Sequence, residues 1–198
     1  MASLRLPIAT DQLELTAFER SDTEALGSYL CNRDAQRYID GLARDKQDVE
    51  AVLRQMREQV NLRRPGDTLT LAMRKNTDKE LVGHVCLRWS DATAGQGELR
   101  FVLHPRHTGR GYAHEAIAAM LDLAFDHYNI HRVFMRCDGR NHHSAKLLEQ
   151  IGMRLEAHYR EHALFQGEWD EELHFAILDR EWRPSSKIRH FPPRVRVA

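Results

Sequence analysis

Cysteine, proline and long apolar runs are all scarce in this chain. Its 198 residues include three cysteines and six prolines. Cys31, Cys86 and Cys137 are widely separated and show neither redox nor zinc-ligand spacing. They suit reduced thiols in a cytoplasmic protein rather than a disulfide framework. No stretch approaches the roughly eighteen consecutive apolar residues of a membrane span. The segment Met1-Ala2-Ser3-Leu4-Arg5 also lacks the apolar core of a signal peptide. An excess of one charge is missing as well, since 29 Lys plus Arg face 29 Asp plus Glu. Nothing therefore draws the whole chain toward nucleic acid. Histidine is plentiful, at twelve residues, but no His-Glu-x-x-His or similar pairing appears, and no metal site is expected.

What the chain does have is periodicity. Leu13-Glu14-Leu15-Thr16 alternates as a strand should. Ser21-Asp22-Thr23-Glu24 reads as a capping box opening a helix that runs to about Leu30. Val49, Val52, Leu53, Met56 and Val60 recur at helical spacing, and that helix must stop before Pro65-Gly66. Thr68 to Arg74 and Leu81 to Trp89 predict a hairpin turning at Asn76-Thr77-Asp78-Lys79. A strand at 98–103 precedes a long helix with Ala113, Ile117, Met120, Leu121, Ala124 and Phe125 on one face. Arg132 to Cys137, a helix after Asn141, and strands near 153–164 and 171–178 complete the chain. The order β-α-α-β-β-β-α-β-α-β-β predicts an α/β (α+β) fold: one mixed, mostly antiparallel sheet with helices on both faces. We expect a single domain over 1–182 and a basic, proline-containing tail over 183–198. That tail reads either as a loose terminus or as an arm touching RNA or a partner.

The most informative segment is Arg106-His107-Thr108-Gly109-Arg110-Gly111-Tyr112-Ala113, between strand 98–103 and the long helix. Glycines let the backbone turn sharply and approach a ligand closely. The first helical N–H groups have no intrahelical acceptor and sit at the positive end of the helix dipole. A pyrophosphate answers both needs. The segment is neither a P-loop nor a dinucleotide fingerprint. It resembles motif A of the GNAT superfamily of N-acyltransferases. A second match follows in the expected order: Asn141-His142-His143-Ser144, a short apolar helix, then Gly152-Met153, resembling motif B. Gly167-Glu168-Trp169-Asp170 and Glu181-Trp182 are similar to the closing hairpin of the RimJ/RimL branch, ribosomal-protein N-terminal acetyltransferases. The resemblance covers roughly Thr10 to Trp182.

That resemblance implies acetyl-CoA as cosubstrate and an amine as acceptor, either a protein N-terminus or a small molecule. Backbone N–H groups from about His107 to Tyr112 would take the pyrophosphate, with Arg106 and Arg110 adding charge. Phe101, Val102 and Leu103 would pair with the pantothenate arm where a bulge splays their strand from its neighbour, and one of their N–H groups would meet the oxyanion. Asn141 would hydrogen-bond the pantetheine or act as a plain helix cap. Many relatives carry a tyrosine seven residues after this asparagine, where this chain has Leu148; Ser144 takes the place of the thiolate acid or is structural. Glu98 is the expected general base, with His84 and Glu80 as weaker rivals, and Glu115 is given no catalytic role.

Acid–base chemistry narrows the acceptor. An α-amine of pKa near 7.8 is about one-seventh neutral at pH 7, and a lysine amine near 10.4 only about one part in 2,500. A modest base therefore serves α-amines far better. The acidic hairpin residues Glu168, Asp170, Glu171 and Glu172 are expected to steer a cationic acceptor. A homodimer is compatible with this reading, as is a non-catalytic CoA-ester sensor or scaffold or a different acyl donor; membrane binding is not expected.

Overall fold

A computed structural model describes residues 4–32, 38, 45–165 and 167–182. The tail 183–198 lies outside the described residues. Eight strands form one sheet in the order β1-β2-β3-β4-β5-β6-β8-β7. These are β1 (Ile8–Ala9), β2 (Leu13–Thr16), β3 (Thr68–Lys75), β4 (Leu81–Asp91), β5 (Gln96–Leu103), β6 (Arg132–Asp138), β7 (Arg154–Phe165) and β8 (Glu168–Leu178). The helices are α1 (Thr23–Leu30), α2 (Lys46–Glu58), α3 (Tyr112–Asp122) and α4 (His142–Ile151). The predicted order holds, and β1, a two-residue strand too short to carry a periodic signal, joins it at the edge.

Alternation along the strands divides the core. Leu13, Leu15, Leu69, Leu71, Met73, Val85, Leu87 and Leu99 bury against the apolar face of α3 and the inner side of α4. Ala72, Leu81 and Val102 point the other way, toward Phe18, Leu26, Tyr29, Leu30, Val49 and Leu53 under α1 and α2. Helices therefore cover both faces. α3 widens into a π turn over Leu123–His127, and Asp122 on its last turn accepts a 2.7 Å hydrogen bond from the Trp182 indole.

The first helix begins differently from expectation. The capping box is Glu19 with Asp22, not Ser21 with Glu24: the Asp22 carboxylate accepts the Glu19 N–H at 2.7 Å. Asp22 is chosen because Arg74 reaches it across the sheet with two short hydrogen bonds, 2.8 and 2.7 Å, and buries it.

All strand pairs are antiparallel except β5–β6, which is parallel and very short. Only Gln96↔Arg132, Gly97↔Val133 and Glu98↔Phe134 pair. Beyond them β5 pairs with β4 alone and β6 with β8 alone, so the two strands splay apart. The expected bulge is not at this point. The β4–β5 register shifts at Trp89/Asp91 and is continuous from Gly97 to Leu103. A close approach accompanies the splay instead: a Cβ on Gly83 would lie 2.3 Å from the Val102 carbonyl oxygen. Only glycine at 83 lets the end of β5 lean this far over β4, away from β6.

Candidate active site

The splay opens a crevice at the carboxyl ends of two parallel strands, and each strand runs straight into a helix. Such a crevice is the usual ligand position in open α/β sheets. β5 continues through a 3-10 turn at Pro105–His107, whose entry is held by the His104 N–H on Val82 O at 2.8 Å. His104 Nδ1 accepts the Arg106 N–H at 3.1 Å. Gly109 and Gly111 then adopt positive φ, +74° and +84°, and Gly111 caps α3 with no side chain of its own.

This turn redistributes the expected phosphate donors. The His107 and Thr108 N–H groups are engaged by His104 O and Pro105 O, at 2.9 and 3.3 Å. Neither can serve a ligand, because the 3-10 turn closes on itself. Those of Gly109, Arg110, Gly111, Tyr112 and Ala113 have no protein acceptor among the described residues. Five consecutive N–H groups at a helix N-terminus, with open space where a Gly109 Cβ would stand, fit a pyrophosphate. Arg106 and Arg110 are exposed beside them.

The His107 side chain is also not a surface ligand. It is buried beneath the loop, with Nε2 3.2 Å from Glu80 Oε1 and its ring packed on His104 and Tyr112. Its role is to floor the loop. Glu115 fastens the same region from the other side: it accepts the N–H groups of Gln12 and Leu13, at 2.7 and 3.1 Å, the Gln12 amide at 3.0 Å and the Thr10 hydroxyl. The β1–β2 turn is thereby tied to the first turn of α3.

Across the crevice, Asn141 caps α4, its Oδ1 accepting the Ser144 N–H at 3.1 Å. The amide nitrogen is left without a protein partner among the described residues. Ser144 sits half-buried in the first turn, its hydroxyl likewise unpartnered there. Leu148 is buried in the main core. On β5, Phe101 and Leu103 are half-buried, while the Val102 side chain belongs to the second core and leaves only its backbone to the crevice.

Glu98 lies at the point of divergence, only 3% exposed. Its Oε1 accepts from Arg100 Nε at 2.8 Å and from Arg136 Nε and Nη2, at 3.0 and 2.7 Å, and Arg100 Nη2 forms an ion pair with it at 2.7 Å. Burial would raise its pKa, but the hydrogen bonds from Arg136 and Arg100 outweigh it and hold the carboxyl below its ordinary value. Such a carboxylate is a weaker base than the free group expected from sequence. Oε2 carries no protein hydrogen bond among the described residues, so one oxygen is clamped and one is open.

The rivals are less suited. His84 is fully buried against Phe18 and Tyr29, with Nδ1 2.9 Å from the Tyr29 hydroxyl, and burial lowers its pKa to about 4. Glu80 is engaged by Lys75 and His107, and the Lys75 hydrogen bond lowers its pKa. Burial raises the thiols of Cys86 and Cys137 to about 11, so neither is a thiolate. The hairpin acids are not a bare anionic surface. Glu168 meets Arg140 at 3.1 Å, Asp170 meets His162 at 3.2 Å, Glu171 meets His158 at 2.7 Å and Glu172 meets His174 at 2.6 Å. Arg100 and Arg136 were missed in the sequence. The Glu98-x-Arg100 alternation was legible there, but the partner on β6 was not.

Among the described residues no helix is long and apolar enough to cross a membrane. The chain is 27% identical over 175 residues to the uncharacterized N-acetyltransferase YnaD of Bacillus subtilis, covering 88% of this chain and 98% of that one. It is 25% identical over 108 residues to the spermidine N(1)-acetyltransferase of Vibrio cholerae, 54% of this chain and 62% of that one. Over 110 residues it is 24% identical to the [ribosomal protein uS5]-alanine N-acetyltransferase of Escherichia coli, 54% and 56% of the two chains. The crystal structure of a GNAT-family acetyltransferase from Bacillus anthracis superposes with a TM-score of 0.77 at 26% identity, covering 89% of this chain and all of that one. The profile of the Acetyltransferase (GNAT) domain matches residues 12–154. With the splayed sheet, the cradle and these relatives in agreement, the chain belongs to the GNAT acetyltransferase family and is an acyltransferase enzyme.

Proposed function

We propose that the protein moves an acetyl group from acetyl-CoA to a primary amine, an α-amine in preference to a lysine, by direct attack within a ternary complex. The observation that carries this reading is the cradle at 109–113, five consecutive N–H groups without a protein acceptor among the described residues, on the loop that continues β5 into α3. The donor's pyrophosphate would lie on Gly109, Arg110, Gly111, Tyr112 and Ala113, with Arg106 and Arg110 adding charge and Thr108 at the loop's edge. Its pantothenate arm would run along Phe101, Val102 and Leu103, where β5 has no partner on its β6 side. The amide nitrogen of Asn141 would donate to that arm while its oxygen caps α4.

In the reaction, the acceptor ammonium first loses a proton. Its nitrogen then forms a C–N bond to the acetyl carbonyl carbon, the C–S bond breaks with its electron pair on sulfur, and the nitrogen sheds a second proton as the thiolate gains one. A backbone N–H of β5 would stabilise the oxyanion, a contribution of about 3 kcal/mol. Glu98 would receive the ammonium, or a water bridging to it, on Oε2. Its depressed pKa suits holding the cation and passing the proton on to water more than retaining it. The Ser144 hydroxyl would donate to the departing sulfur. This help is modest, since thiols ionise near pH 8.5 and leave readily.

The test is thiol release from acetyl-CoA with N-terminal peptides, free amino acids, polyamines and aminoglycosides, beside thermal stabilisation by CoA. Acceptor-dependent release supports the proposal. Stabilisation without release across the panel favours a CoA-ester sensor, and neither one sinks it.

A further inference from the structure

The same face of the sheet holds an uneven set of charges around Glu98. Arg88 lies directly opposite Glu98 in the β4–β5 register, Arg100 follows two residues along β5, and Arg136 lies two residues beyond Phe134, the β6 partner of Glu98. Side chains two apart on a strand share a face, so two guanidinia hold the buried carboxylate and a third, Arg88, projects from the neighbouring strand on the same face. Elsewhere α1 and α2 cover this face, over Ala72, Leu81 and Val102. Here no described residue covers it fully: Arg88 is exposed, and the Arg100 and Arg136 side chains are 56% and 36% accessible among the described residues.

The charges do not cancel. A single Glu98 oxygen is shared by two arginines, and the next acid, Glu172, stands 3.7 Å from Arg136 Nη1. Glu172 is itself hydrogen-bonded to His174, and Asp170 and His162 pair beside it. Arg100 Nη1 and the whole Arg88 guanidinium have no protein acceptor among the described residues. Arg100 thus keeps one free guanidinium nitrogen and Arg88 its whole fork, on the face that carries the buried Glu98 carboxylate. A guanidinium's planar fork matches a carboxylate.

We propose that Arg100, with Arg88 and Arg136 beside it, reads an anionic group on the acceptor. The preferred acceptor is then a peptide α-amine followed by an acidic second residue, and not a polyamine. The amine would sit on Glu98 Oε2 and the side-chain carboxylate on Arg100. Two residues of strand span about 6.6 Å, comparable to the reach from an α-amine across one peptide unit to the next side-chain carboxylate. A polycation would bring only like charge to the three arginines. This inference rests on the acetyl-transfer reading above.

The test compares alanyl-aspartyl-amide with alanyl-asparaginyl-amide, which share an α-amine and differ in one carboxylate, and adds spermidine as a third acceptor. The wild-type enzyme should favour the aspartyl peptide at least tenfold in kcat/KM, mainly through KM, and should use spermidine worst. In Arg100→Gln the aspartyl preference should fall below threefold, whatever happens to the absolute rate. Undiminished stabilisation by acetyl-CoA will show that variant to be folded; if it is not, Arg88→Gln should lower the preference at least threefold. A wild-type preference below twofold, better turnover of spermidine, or an unchanged preference in the folded variants would overturn the proposal. Absence of acetyl-CoA binding to the wild-type protein would instead remove the acetyl-transfer reading itself.

Discussion

Residue by residue, the crevice is defined by which polar atoms are engaged and which are left open. Glu98 illustrates both, with one oxygen held by Arg100 and Arg136 and the other unfilled. Glu98→Gln keeps the shape but removes the charge, and should lower kcat/KM at pH 7 at least about tenfold. A loss under threefold in steady-state assays would take Glu98 out of the mechanism. At Gly111 the constraint is conformational, since φ is +84°. Gly111→Ala places a Cβ in the left-handed region at a cost of about 1 kcal/mol, which should raise KM for acetyl-CoA about fivefold with kcat little changed. His84 contributes to stability rather than chemistry. Burial holds its folded pKa at about 4, below its ordinary 6.5. The unfolded chain therefore binds the proton first, and stability is lost as pH falls from about 6.5 toward 4, by about 3 kcal/mol at full extent. Urea unfolding of wild type and His84→Gln at pH 7 and pH 4.5 should show a smaller loss in the variant.

Among the elements, β5 is the one on which the site depends. It shares a short parallel ladder with β6 and then leans onto β4, an approach that Gly83 permits by leaving the Val102 carbonyl unobstructed. Gly83→Ala should destabilise the protein by roughly 1–3 kcal/mol. It should also weaken acetyl-CoA binding measured on the folded variant at low temperature, because β5 must move back toward β6. Normal affinity in a folded Gly83→Ala protein would show that the splay has another cause. The two helices that frame the crevice were legible in the sequence because their signals are local. A strand-to-helix turn with Gly109 and Gly111, and an asparagine capping the next helix, depend on backbone neighbours only. The start of α1 was misread for the converse reason. Ser21 and Glu24 form a plausible box locally, but Arg74, 52 residues away in sequence, buries Asp22 and makes that carboxylate the cap.

The whole molecule should answer to its donor. At about 100 times Kd, a ligand of the folded state adds about 2.7 kcal/mol of stability. For a domain of this size that raises Tm by roughly 5–10 °C. Acetyl-CoA should produce such a shift and ATP or NAD should not, as differential scanning fluorimetry would record. By itself the sequence determined the element order, the two-faced sheet, the glycine cradle and the cap at Asn141. Each follows from periodicity or from backbone preferences within a few residues. Tertiary structure alone decided that His107 floors the loop instead of facing solvent, and that the cradle begins at Gly109. It also tied the β1–β2 turn to Glu115 and placed Arg136 on Glu98. These outcomes depend on burial and on charges brought together across strands, and strand pairing between distant segments leaves no local mark in the chain.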